Sequence, residues 1–196
     1  PPMNNHGNYV ISLGNLCRWL GQQAENLGIE IFPGFPASKL LFENDKVVGV
    51  QTGDMGISES GELKPGHEPG IEIRAKYTIL GEGCRGHLGK QIINKYNLSE
   101  GKDPQHYGIG FKEVWKLDKN LHEPGLVIHT NGWPTSFDTA SGSYFYHGEN
   151  DEAYIGYVVP LDYKNPHLSP FDEFQMWKTH PSIKKYLKDG ERISYG

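Results

Sequence analysis

Residues 76–88 read Lys76-Tyr77-Thr78-Ile79-Leu80-Gly81-Glu82-Gly83-Cys84-Arg85-Gly86-His87-Leu88. An apolar run stops at Gly81-Glu82-Gly83, and a helical pattern follows. A buried strand that ends on glycines brings the main chain close to a bulky group with no Cβ in the way. The helix start that follows presents free N–H groups to an anion. A plain tight turn between strand and helix accounts for the same residues, so the flanking sequence has to decide.

Upstream of this stretch, Ile71–Ala75 reads as a strand, as does Tyr77–Leu80. Thr52–Gly70 is a long polar excursion, rich in Gly, Ser, Glu and Pro. Lys39–Phe42 and Val47–Gln51 are two strands about an Asn44-Asp45 turn. Ile29, Ile31 and Pro33 open an extended segment. Before it, Leu13, Leu16, Cys17, Leu20, Ala24 and Leu27 share one face of a helix, which predicts that this face is buried. Gly28 supplies its C′ residue. Downstream, Gly86–Tyr96 predicts a helix with Leu88, Ile92, Ile93 and Tyr96 turned inward.

Asp103–His106 marks a boundary. Beyond it come Tyr107–Leu117, Leu126–Thr130, Ser143–His147 and Tyr154–Leu161, strand patterns with no long helix between them. An antiparallel or mixed sheet is the simplest arrangement. Two short helices follow. Ser169-Pro170-Phe171-Asp172 carries a cap, a first-turn proline and an acid. His180-Pro181 opens the second, and Gly190 ends it. Arg192-Ile193-Ser194-Tyr195-Gly196 reads as a further strand. The expected class is α+β, an α/β portion joined to a mixed or antiparallel sheet domain.

The 196 residues hold one or two domains with a sizeable core. A net charge of −5 and the lack of a basic tract exclude a nucleic-acid partner. Cys17 and Cys84 form no C-x-x-C pair and imply a reducing compartment or burial. There is no signal peptide, and no apolar run approaches a spanning helix. Both ends read as cut from a longer polypeptide.

Side-chain chemistry adds little by itself. Nine histidines include no i, i+4 pair, and Cys84 with His87 lacks the second pair of a metal site. No Gly-x-Ser-x-Gly elbow is present, and nothing orients a Cys84–His87 dyad. His129 and His147 sit in strand patterns as packed or hydrogen-bonded residues. Asn97-Leu98-Ser99 matches a glycosylation sequon without other signs of secretion. Thr139-Ala140-Ser141-Gly142-Ser143 is a small-residue link between aromatic strands. It is either a hairpin loop or a place for a flat apolar ligand.

Longer runs carry a resemblance. Pro104-Gln105-His106-Tyr107-Gly108-Ile109-Gly110-Phe111-Lys112-Glu113-Val114-Trp115 and His129-Thr130-Asn131-Gly132-Trp133-Pro134 resemble electron transfer flavoprotein–ubiquinone oxidoreductases. So do Leu161-Asp162-Tyr163-Lys164-Asn165-Pro166-His167-Leu168-Ser169-Pro170-Phe171, Trp177-Lys178-Thr179-His180-Pro181-Ser182-Ile183, Asn4-Asn5-His6-Gly7-Asn8-Tyr9 and Ala75–Cys84. The resemblance covers essentially the whole chain.

It implies a glutathione-reductase-type two-domain fold that binds FAD. Residues 1–103 would be part of the FAD domain with its β-meander, 104–190 part of the quinone domain, and 191–196 a strand returning to the FAD domain. It implies an enzyme taking electrons from reduced electron transfer flavoprotein through FAD and a [4Fe–4S] cluster to ubiquinone. The cluster ligands and the amino-terminal G-x-G-x-x-G are not in this sequence, so this segment is expected to be inactive alone. Site residues carry over one by one. Gly81, Glu82 and Gly83 match a flavin-contacting motif, and Ala37 and Ser38 lie in the segment by the adenine. Ala140, Ser141 and Gly142 match the quinone-contacting loop. There the family tends to have Tyr at Ala140 and Gly at Ser141, and it tends to have Arg at Ser12. No acid or base and no metal ligand is implied in this chain. The implied location is peripheral, on the cytoplasmic face of a bacterial inner membrane or the matrix face of the mitochondrial one. Two other readings stand beside this one: a stand-alone sheet domain that binds without catalysis, and a related flavoprotein reductase or hydroxylase.

Overall fold

The computed structural model describes residues 6–196, so Asn4 and Asn5 of the resemblance lie outside the described residues. The chain divides into two compact units. One is Gly28–Asp103; the other is Pro104–Gly196 together with the segment up to Leu27. The class is mixed α+β with antiparallel sheets.

In the Gly28–Asp103 unit, β1 (Ala37–Glu43) pairs antiparallel with β2 (Lys46–Thr52). Asn44 and Asp45 turn the corner with φ of 47° and 62°, the left-handed pair that a tight hairpin requires. The polar excursion forms its own hairpin, β3 (Met55–Ile57) with β4 (Leu63–Glu68). β5 (Glu72–Arg74) then returns to pair with β2. It passes so close that a Cβ on Gly49 would lie 2.1 Å from the Ile73 carbonyl oxygen.

The strand expected at Tyr77–Leu80 does not form a ladder, and Ile79 is 93% exposed. An apolar run becomes a buried strand only where neighbouring strands flank it, and none does among the described residues. α2 (His87–Lys95) follows. Leu88 is buried as expected, but Ile93 is exposed.

In the other unit, α1 (Leu13–Asn26) is capped by the Ser12 hydroxyl, which accepts the Asn15 N–H. The helix forms where its periodicity placed it, yet none of its residues is buried. Periodicity specifies an apolar face without supplying its partner. Cys17 and Cys84 are also exposed rather than buried, and both are free.

The main sheet of this unit contains β6 (Gly108–Lys116), β7 (Val127–Asn131), β8 (Gly142–His147), β9 (Glu152–Pro160) and β10 (Glu191–Tyr195). Its order is β10-β6-β9-β8-β7, antiparallel throughout. The terminal strand, expected to return to the FAD domain, here pairs Glu191 with Lys116 and Arg192 with Trp115.

Strand alternation gives this sheet two faces. The inner face presents Phe145, Ala153, Ile155, Tyr157 and Val159. It packs on α3 (Pro170–Trp177) and α4 (Pro181–Leu187), chiefly through Phe174, Trp177 and Ile183, all nearly fully buried. The Trp177 indole N–H donates to Thr130 Oγ1 at 2.9 Å, giving its polar edge a partner in the core. Glu113, 3% exposed, is held by both Lys178 and Arg192 and by the Trp115 indole at 2.7 Å. Burial opposes its charge, but those hydrogen bonds and the Lys178 charge hold its carboxyl below the usual range.

Candidate functional site

Each unit carries a cleft. In the Gly28–Asp103 unit it encloses about 720 Å³, and its lining includes Ala37, Ser38, Tyr77, Ile79, Gly81 and Glu82. Two segments separated by some forty residues of sequence thus meet at one surface. They meet because β1 is the sheet edge beside α2, and Gln91 of α2 donates to the Ser38 carbonyl at 3.2 Å. Gly83 lies outside this lining.

Gly81 and Gly83 have open space where a Cβ would project. The packing of the described residues therefore does not demand a glycine for room at either position. Gly83 does have a φ of +75°, so its backbone needs glycine independently.

The start of α2 is not open to an anion, contrary to the expectation of free N–H groups. The Glu82 carboxylate accepts the Leu88 N–H at 3.0 Å and the Gly89 N–H at 2.8 Å. These backbone bonds hold its pKa below the usual carboxylate value. A helix start leaves orphan donors, and an acid a few residues upstream can reach them. Gly86 makes room for it, because a Cβ there would lie 2.6 Å from Glu82 Cβ and Oε2.

The second site is the outer face of the five-stranded sheet. The ladder registers align Gly110, Val158, Gly142 and Asn131 in one row across four strands. The next row on this face is Lys112, Gly156, Tyr144 and His129. Tyr144 lies over Gly156, where a Cβ would meet its ring at 2.4 Å. The result is a flat floor of glycine backbone and Val158, walled by tyrosine. A cleft of about 450 Å³ sits on it, lined by His129, Asn131, Gly142, Tyr144 and Val158 among others. Burial and the neighbouring Tyr146 raise the Tyr144 phenol pKa.

Of the three loop residues singled out from sequence, only Gly142 lines this cleft. Ala140 is exposed outside the lining. Ser141 is buried, and its hydroxyl faces the other way. It donates to the Gly132 carbonyl at 2.7 Å and bonds the hydroxyls of Tyr157 and Thr135. That hydroxyl is used inside the loop rather than directed at a ligand. His129, Asn131 and Val158 were not singled out as site residues, and Tyr144 was legible only as one of several aromatics flanking the loop. Their strands were legible, but which residues share a row depends on register, which no single strand encodes.

The matches to known proteins fall on this geometry. A family model described as ETF-QO, ubiquinone-binding, covers residues 107–196, which include the whole five-stranded sheet. The electron transfer flavoprotein-ubiquinone oxidoreductase of Pseudomonas aeruginosa is 57% identical over 196 residues, 99% of this chain and 36% of that protein. The mitochondrial protein of the same name from Sus scrofa is 52% identical over 198 residues, 100% of this chain and 32% of that protein.

The chain's family is that of the electron transfer flavoprotein–ubiquinone oxidoreductases.

The chain spans about a third of the length of these family members. A structure of the flavin-dependent brominase Bmp2 shares the fold at a TM-score of 0.57 and 18% identity, over 92% of this chain and 42% of that one. Among the described residues no helix is long and apolar enough to cross a membrane. None of the described His, Cys, Asp and Glu side chains gather into a group of three that could hold a metal.

Proposed function

We propose that this chain is the portion of a flavoprotein dehydrogenase that forms its ubiquinone platform and one side of its FAD site. The whole enzyme would pass electrons from reduced electron transfer flavoprotein to ubiquinone, within a glutathione-reductase-type fold. The observation that carries this reading is the glycine-floored outer sheet face inside the matched ubiquinone-binding segment. A planar ring can lie on backbone where side chains are absent, with Tyr144 as a wall.

The cleft with Ala37, Ser38, Gly81 and Glu82, about 720 Å³ with a bare Gly81 edge, is the place proposed for a flavin nucleotide. FAD bound there would supply reversible electron uptake and release. The chain's residues would position it: Gly81 by close backbone approach, Ala37 and Ser38 beside the adenine end, with Gly83 shaping the turn that follows. Among the described residues Cys17 and Cys84 do not converge with other ligands, so a [4Fe–4S] cluster would have its ligands elsewhere in the protein. Association with the membrane would be peripheral, on the cytoplasmic face of a bacterial inner membrane or the mitochondrial matrix face. Fully exposed Phe137 and half-exposed Trp133 are the residues to enter lipid.

Gly142→Leu tests the platform. A Cβ at Gly142 meets nothing closer than 3.8 Å, so the fold tolerates a side chain there while a ligand on the floor would not. In the full-length enzyme this variant is expected to raise the apparent quinone KM about tenfold or more, with flavin reduction by the donor protein unchanged. An unchanged quinone KM would refute the site.

A further inference from the structure

His129 borders two clefts. One is the floor cleft with Gly142, Tyr144 and Val158. The other, of about 540 Å³, is lined by Gly125–Val127, Tyr146 and the segment containing His6 and Tyr9. His129 Nε2 lies 3.2 Å from the Tyr146 hydroxyl, and the rings meet edge to face at 5.4 Å. In the ladder His129 stands directly opposite Tyr144, the wall of the floor. A histidine–tyrosine pair therefore sits at the divide between the proposed ring site and a second opening.

We infer that His129, paired with Tyr146, is the acid that protonates the quinone on this platform, a step that rests on the quinone reading above. A quinone becomes a quinol by taking two electrons, here from the reduced flavin donor, and two protons. Each C=O double bond becomes C–O–H, and the electron pairs complete the aromatic ring. One carbonyl oxygen takes its proton from the His129–Tyr146 pair. The imidazole is then reprotonated from water through the cleft lined by His6 and Tyr9. The second oxygen takes its proton from water at the mouth of the floor cleft. An imidazole suits this task because its ring nitrogens can both give and regain a proton, whereas the raised phenol of Tyr144 holds its proton more tightly. The titratable groups facing His129 are Tyr144 and Tyr146 from β8, Lys112 in the same row on β6, and His6 and Tyr9 across the second cleft.

The experiment uses the full-length enzyme with His129→Gln, Tyr146→Phe and Gly142→Leu. Quinone reduction is followed against pH, alongside quinone affinity by equilibrium titration and flavin reduction by the donor protein. His129→Gln is expected to lower kcat for quinone reduction on the order of 10- to 100-fold. It should also flatten the limb of the pH–rate profile on which this acid supplies the proton. Quinone affinity and flavin reduction should stay within about threefold of the parent. Tyr146→Phe, which removes a single oxygen, should shift the same pH limb and decides the matter if the Gln variant fails to fold. If both pair variants keep the parent kcat and pH profile while Gly142→Leu loses quinone affinity, the platform stands and the acid assignment is overturned. If Gly142→Leu leaves quinone affinity intact, the platform falls, and the acid assignment with it.

Discussion

Two buried polar residues of the five-stranded-sheet unit, His147 and Glu113, carry shifted pKa values. His147 is fully buried, accepts the Glu123 N–H on Nδ1 and stacks on His122 at 5.4 Å. Burial, and then the neighbouring His122, lower its pKa from 6.5 to about 4. The unfolded chain therefore binds a proton that the native state refuses. Stability is full above about pH 6.5, falls as pH drops, and levels off below about 4, a loss of roughly 3 kcal/mol. Urea unfolding should show a shallower fall over that window for His147→Gln than for the parent, whatever their difference at pH 7; parallel pH curves would remove the assignment. Glu113 has a lowered pKa, so its contribution is present above the ordinary carboxylate range and lost as pH falls through its folded value. Glu113→Gln would leave the Lys178 ammonium, its side chain only 13% exposed, without a charged partner. The expected loss is about 3 kcal/mol in denaturant unfolding at neutral pH. A loss within experimental error would show that solvent already screens the Lys178 and Arg192 charges.

Helix α2 starts where a carboxylate and a glycine fit each other. Glu82 closes the first turn, and Gly86 leaves room for its side chain. Gly86→Ala should displace the carboxylate and speed amide exchange at Leu88 and Gly89, while β1 and β2 keep their protection. Unchanged exchange at those two amides would show that the cap carries nothing. Element positions were largely legible in the sequence. The β1–β2 hairpin followed from Asn44-Asp45, and the α3 start followed from Ser169-Pro170, whose hydroxyl accepts the Asp172 N–H. Partners were not legible. The apolar stripe of α1 and the run Tyr77–Leu80 both predicted burial and both lie open. A stripe states what a segment needs and leaves open where the covering surface comes from.

At the level of the whole protein, membrane association is expected to depend on Trp133 and Phe137. These aromatics project from the loop between β7 and β8. Replacing both with serine in the full-length enzyme should weaken partition onto liposomes without a comparable loss in thermal stability. Unchanged partition would overturn the proposed membrane contact at this loop. For the cleft proposed to hold flavin, Gly81→Val is the informative change, because the space beside Gly81 is empty of protein and its φ is not in the left-handed region. Bound flavin per full-length protein should fall markedly. Equal occupancy would show that Gly81-Glu82-Gly83 is only a turn between strand and helix.

Local composition and long idiosyncratic runs were enough to assign the family and the α+β class. Those properties reside in short windows: period, turn chemistry and residue identity. The assembly of each cleft does not. Ala37 meets Gly81 because an edge strand packs beside α2, and Gly142 shares a floor with Gly110 because four strands lock into one register. A slip of one residue would turn His129 and Tyr144 to the inner face and Ser143 outward. The fold holds that register by burying Phe145, Ile155 and Tyr157 against α3 and α4, a condition on the packed whole that no stretch of sequence carries alone.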